Sequence, residues 1–151
     1  MKEFKILSPT AILGYGFPKK SFMEGMKRKP DVIAVDAGST DPGPYYLGSG
    51  KSFTNRDAVK RDLNIIMENS IKNHIPLIIG TAGGSGGEIH LNWCKEIIYE
   101  IAKEKNLQFK LAIIHSQLPK EIIKKALKEN KISLLGPVPP LTEEIIDETT
   151  A

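Results

Sequence analysis

Pro76-Leu77-Ile78-Ile79-Gly80-Thr81-Ala82-Gly83-Gly84-Ser85-Gly86-Gly87-Glu88 is the stretch on which the reading of this chain turns. Its apolar, β-branched start is a buried strand. Five glycines lie between positions 80 and 87, and an amphipathic helix follows at once. Glycines let backbone amides approach a ligand closely. A helix N-terminus adds unpaired N–H groups and a partial positive charge. Strand, loop and helix thus form an anion cradle for phosphate, pyrophosphate or carboxylate. Its candidate binding residues are Thr81, Gly83, Gly84, Ser85, Gly86, Gly87 and Glu88, with His90 in the first helical turn. The plainer reading is a tight turn that merely needs glycine, but two Gly-Gly pairs exceed what one turn requires.

Before this stretch, Phe4-Lys5-Ile6-Leu7 is a short strand. A loop through Gly14-Tyr15-Gly16 leads to a helix that starts near Lys19, buries Phe22, Met23 and Met26, and stops at Pro30. Asp31-Val32-Ile33-Ala34-Val35-Asp36 is a second strand, apolar almost throughout, as in a sheet covered on both faces. A long loop runs to about Thr54. Thr54 or Asn55 caps a helix whose buried stripe is Val59, Leu63, Ile66, Met67 and Ser70.

After the cradle, a helix buries Ile89, Trp93, Ile97, Ile98 and Ile101. A fourth strand covers residues 109–114 and ends at His115-Ser116. Pro119 opens a helix packed by Ile122, Ile123, Ala126 and Leu127. Residues 131–135 read as a fifth strand, and Thr142 caps a last helix. Alternating strands and helices predict a doubly wound, mainly parallel five-stranded sheet with helices on both faces, a Rossmann- or flavodoxin-like three-layer sandwich of order 2-1-3-4-5. Residues 1–136 form this domain. Residues 137–151 are a linker and a truncated or exposed helix, so the chain reads as a piece of a longer protein.

Ligands of open α/β sheets bind beyond the carboxyl ends of the strands. Four polar loops converge there: Gly14-Tyr15-Gly16, residues 36–54, residues 81–88 and His115-Ser116-Gln117. Asp36 and Asp41 are candidate catalytic carboxylates, able to act as a general base or to hold Mg²⁺. An Asx turn is the bland alternative for each. Gly38, Ser39 and Thr40 lie between them and join the candidate binding set with Gly14, Tyr15 and Lys51. His115, at a strand end, is the third catalytic candidate.

Several motifs are imitations. Gly48-Ser49-Gly50-Lys51-Ser52 resembles the end of a phosphate-binding P-loop, but Tyr45 stands where its first glycine belongs. Gly14-Tyr15-Gly16 lacks the third glycine of a dinucleotide fingerprint, because Lys19 occupies that place. Gly83-Gly84-Ser85-Gly86-Gly87 satisfies the spacing of a nucleophile elbow. A triad with Asp36 and His115 would then follow an order foreign to the α/β-hydrolases. No Cys/His cluster has zinc spacing.

The net charge is +3 and the basic residues are mostly lysines mixed with glutamates on helix faces. That is a solvated surface, and it argues against nucleic acid. No apolar run reaches membrane-spanning length, and there is no signal-peptide pattern. A single cysteine, Cys94, excludes an internal disulfide framework and makes a cytoplasmic setting the expectation.

Ile6-Leu7-Ser8-Pro9-Thr10, the run from Pro30 to Tyr46 with Asp36-Ala37-Gly38-Ser39-Thr40-Asp41-Pro42-Gly43-Pro44 at its centre, and Gly80-Thr81-Ala82-Gly83-Gly84 resemble the N-terminal region of the AtuA-like proteins, the acyclic terpene utilisation family. The resemblance spans most of the chain. It implies a catabolic role on an acyl-CoA or another small carboxylated substrate, within a longer protein. Two readings stay open. One is a small-molecule enzyme domain binding an anionic ligand. The other is a non-catalytic ligand-binding or assembly domain serving a further domain, another subunit or a homo-oligomer.

Overall fold

The computed structural model describes residues 3–38, 44–134 and 136–150. Three parallel strands, β1 (Ile6–Leu7), β2 (Val32–Asp36) and β3 (Leu77–Gly80), form one sheet in the order β1-β2-β3. Ile33 stands opposite both Leu7 and Leu77, and Asp36 opposite Gly80. Six α-helices are described: α1 (Lys19–Lys27), α2 (Tyr45–Ser49), α3 (Arg56–Lys72), α4 (Glu88–Glu104), α5 (Lys120–Lys128) and α6 (Glu143–Glu148). No described helix is long and apolar enough to cross a membrane.

This corrects the five-stranded, doubly wound expectation. β2, not β1, takes the centre, because it is the strand that buries Val32, Ile33 and Val35. The strand order never reverses, so both crossovers run the same way. Right-handed crossovers in one direction place their helices on one face. A single core cluster bears this out, joining Ile33 and Val35 to Phe22 of α1, Val59, Leu63, Ile66 and Met67 of α3, and Cys94, Ile97, Ile98 and Ile101 of α4. The long helices therefore form one layer, and the opposite sheet face leaves Ile6 and Ile78 more than half exposed.

Residues 109–114 and 131–134 are not strands. The first segment runs beside β3 with clefts between them, and its backbone makes no hydrogen bond among the described residues. The second has no fourth strand to pair with. Residue 135 lies outside the described residues.

Most helix signals act as their chemistry requires. Asn55 Oδ1 accepts from the amides of Asp57 and Ala58 at 2.9 and 3.2 Å and starts α3. Thr142 Oγ1 accepts from Ile145 N and starts α6. Pro119 directly precedes α5. The expected stripe of α3 is buried, Ser70 included. Met23 and Ile89, expected inside, are exposed. Gly25 lets α1 lie against β1, since a Cβ there would come within 2.6 Å of Leu7 Cδ1. The long loop after β2 contains α2, which the sequence reading passed over. α6 buries Ile146, and Thr150 N donates to Gly48 O at 2.7 Å, tying this end of the chain to α2.

Candidate functional site

The glycine loop leaves β3 through Thr81, a β-branched residue held in the left-handed region at φ 47°, ψ 44°. Such a conformation is strained for threonine and is held by its surroundings. A 3₁₀ turn over Ala82–Gly84 follows, and Gly83, Gly84 and Gly86 all have positive φ. Much of the loop is satisfied internally. Gly84 N donates to Thr81 O and Gly86 N to Ala82 O, and the Gly83 amide lies beside the Cys94 thiol. The loop is thus a rigid turn that sets the start of α4, and only part of its backbone faces outward.

The chain itself closes the N-terminus of α4. Gln117 Oε1 accepts from Glu88 N at 2.6 Å. Ser116 Oγ donates to Gly86 O at 3.2 Å. His115 Nδ1 lies 2.7 Å from Glu88 Oε2. Hydrogen bonding to His115 is the main cause holding the Glu88 carboxyl below its usual range. His115 and Glu88 are both well exposed. With Nδ1 engaged by a carboxylate and Nε2 bonded to none of the described residues, His115 is oriented to take or give a proton.

Asp36 ends β2 beside this loop. Its Oδ1 accepts from Gly38 N at 2.9 Å, an Asx turn. Gly38 is buried so closely against the loop that a Cβ would reach Gly84 O at 2.4 Å. Asp36, Gly38, Thr81, Gly84, Gly86, Glu88 and His115 thus gather at the carboxyl ends of β2 and β3. With no reversal in strand order there is no switch point. The gathering follows from strand polarity alone. Ser39, Thr40 and Asp41 lie outside the described residues. Among the described residues no group of three or more His, Cys, Asp or Glu side chains is placed to hold a metal.

Other candidates sit elsewhere or face inward. His90 is 1 % exposed, and its Nε2 donates to the carbonyls of Tyr46 and Lys51 at 2.9 and 3.1 Å. Two carbonyls fix the proton on Nε2 and leave Nδ1 as a buried acceptor with no donor among the described residues. His90 ties α4 to α2 and to the main chain at Lys51. The amides of Gly14 and Gly16 both donate to Asp62 Oδ2, at 2.8 and 3.0 Å, and Tyr15 between them is exposed. Asp62 is 1 % exposed and was missed by the sequence reading. Its signal was present: it falls on the apolar stripe, between Val59 and Ile66. The pairing of Glu88 with His115 and Gln117 had no local signal.

Burial pushes the Cys94 thiol up to about 11. At pH 8 only about one thiol in a thousand would ionise, and the residue is 1 % exposed. Native protein is expected to stay unlabelled by iodoacetamide and to be labelled once in denaturant. Labelling of native protein at the rate of a free thiol would show that this helix face opens.

A cleft of about 320 Å³ opens beside the glycine loop, between β3 and residues 111–114. Ile79, Ala82, Leu91, Ile113 and Lys95 line it, and Thr81, Gly86 and Ser116 stand at its loop end. A second cleft of about 400 Å³ shares Leu77, Ile79, Ile98 and Leu111 with it and continues along the edge of β3. Both are in the size range of small-molecule sites.

The fold and site define a two-layer α/β domain with a glycine-loop cleft at the carboxyl edge of its sheet. No protein-family model, curated protein or solved structure matches the chain.

Proposed function

We propose that this domain binds a small molecule with an anionic head and an apolar body, and that His115, oriented by Glu88, moves a proton on it. The single observation that carries this reading is the apolar cleft along β3 whose mouth holds Gly86, Ser116 and, beside them, the Glu88–His115 pair. The apolar body lies along Ile79 and Leu91. The carboxylate, thioester or phosphate end meets the outer turn of α4, in place of the Gln117 amide oxygen that now takes the Glu88 N–H. Lys95, in the cleft wall, supplies a positive charge. The resemblance to the AtuA-like proteins adds an acyl-CoA as the substrate class and catabolism as the setting. Asp36, and Mg²⁺ if the ligand brings it, remain the second acid–base or metal element of this reading.

Titration calorimetry with octanoyl-CoA, free CoA and octanoate, each with and without Mg²⁺, tests it. Octanoyl-CoA is expected to bind tightest. Ile113→Trp, which fills the cleft, is expected to weaken it at least about tenfold. His115→Asn is expected to keep binding within a few-fold while removing turnover, by about 10²–10⁴. Absence of binding by all three probes at millimolar concentration, or binding indifferent to Ile113→Trp, overturns the assignment. A non-catalytic ligand-binding domain is the second reading. It is favoured by the Glu88 amide already having its acceptor in Gln117, and it predicts binding without any turnover for His115→Asn to remove.

A further inference from the structure

β3 ends the sheet, and among the described residues no strand pairs with its outer edge. Ile33 N donates to Pro76 O at 2.9 Å and Ala37 N to Gly80 O at 3.0 Å. In a parallel ladder the backbone groups of alternate residues point to opposite edges. Pro76, Ile78 and Gly80 therefore face β2, and the N–H and C=O groups of Leu77 and Ile79 face outward. These outward groups have no backbone partner among the described residues.

The two clefts make one trough along this edge. Leu77 and Ile79 line both of them, and both residues are half-buried. The far wall is residues 109–114, whose main chain is likewise unbonded among the described residues. An occupant of the trough drives water from these groups. A bare hydrocarbon would leave them unpaired, which costs it affinity. An extended chain carrying amides would pair with them, as a peptide does when it adds to a sheet edge.

We propose that the compound bound here carries an extended, amide-bearing arm between its acyl body and its anionic head, and that this arm lies along β3, bonded to the backbone of Leu77 and Ile79. The inference rests on the reading of the cleft as an acyl-ligand site and adds what fixes the ligand in it. Apolar contact is non-directional, so an acyl chain alone could slide along the trough. Pairing to the outward groups of alternate residues sets its position in steps of two residues, about 6.6 Å. It thereby decides which atom of the ligand stands at the cleft mouth beside His115.

Backbone amide NMR of the full chain with octanoyl-CoA tests it. The amide protons of Leu77 and Ile79 are expected to shift downfield and to exchange more slowly in the complex. That of Ile78, which faces β2, is expected to hold its place. In calorimetry, S-octanoyl-pantetheine is expected to bind about fivefold tighter than S-octanoyl-N-acetylcysteamine, which lacks one amide. The latter is expected to bind about fivefold tighter again than S-(2-methoxyethyl) octanethioate, which has none. Octanoyl-CoA that binds and leaves Leu77 and Ile79 unmoved, or equal affinity across the three thioesters, overturns the amide-paired arm while the acyl-ligand reading stands. No binding by octanoyl-CoA or any of the thioesters at millimolar concentration overturns both. A capped Val-Ile-Val tripeptide that shifts the same amides and binds tighter than S-octanoyl-pantetheine assigns the edge to a protein segment, and overturns the proposal equally.

Discussion

Gly83→Ala is expected to lower the stability of this domain by about 3 kcal/mol or more. A Cβ at position 83 would come within 2.0 Å of His90 O, with the carbonyl carbon at 2.4 Å. Both are backbone atoms of the first turn of α4, so no side-chain rotation relieves the overlap. The φ of 77° adds a second cost, since a residue with a Cβ in that region loses about 1–2 kcal/mol. Relief requires α4 to move off the loop. That would pull Cys94 away from the Gly83 amide and the His90 ring from the carbonyls of Tyr46 and Lys51. Urea denaturation is the direct measurement, with the midpoint falling and the slope preserved. Gly87→Ala is the control. It sits at the N-cap with φ −66°, where no left-handed penalty applies. A Gly83→Ala protein within 1 kcal/mol of the wild type would show that the loop is free to shift. The close seat of α4 on the glycine loop would then not be what fixes the site.

That expectation shows what these glycines do. In the sequence, residues 80–87 read as amides turned toward an anion. In the structure, Gly83 and Gly38 serve close backbone approach, and several loop amides bond within the chain. Composition signals both uses alike, because a glycine needed for lack of a Cβ looks the same whether a ligand or a helix occupies the space. The gathering of these loops was legible for a different reason. Strand polarity places the ends of β2 and β3 together, and with them Asp36 and Thr81. Residues 109–114 carry the pattern of a strand, yet the pattern specifies only side-chain faces. Pairing also needs a backbone partner at ladder distance. Here His115, Ser116 and Gln117 fasten the segment to Glu88 and Gly86, and the clefts separate it from β3. The tethers span 27 to 30 residues in sequence, so no local window could reveal them. The order of the sheet was more accessible than the reading made it. An almost wholly apolar second strand, after a first strand interrupted by Lys5, already points to the second as the central one.

Asp62→Ala is expected to destabilise the domain by about 2–4 kcal/mol. The carboxylate is buried in the stripe of α3, and its Oδ2 accepts from the amides of both Gly14 and Gly16. Its Oδ1 accepts from Arg61 Nε and Nη2 at 3.0 and 2.9 Å. Alanine leaves two loop amides without an acceptor and the guanidinium without its partner. It also leaves a void beside Val59 and Leu63. Arg61 is largely exposed, so Arg61→Ala is expected to cost less than about 1 kcal/mol. The contrast between the two separates the amide bonds from the ion pair. Asp62→Asn falls between them, because its carbonyl oxygen can still accept from both amides while its NH₂ group faces the Arg61 donors. Amide hydrogen exchange at Gly14 and Gly16 should quicken in the alanine variant ahead of the rest of the molecule. The loop they belong to crosses the end of β2, where Leu13 N donates to Asp36 O at 2.9 Å. Loosening it is therefore expected to reach Asp36 and to weaken the binding proposed for the cleft mouth as well. Slow exchange at both glycines in Asp62→Ala would mean that other contacts hold the loop, and Asp62 would then be only a buried charge balanced by Arg61.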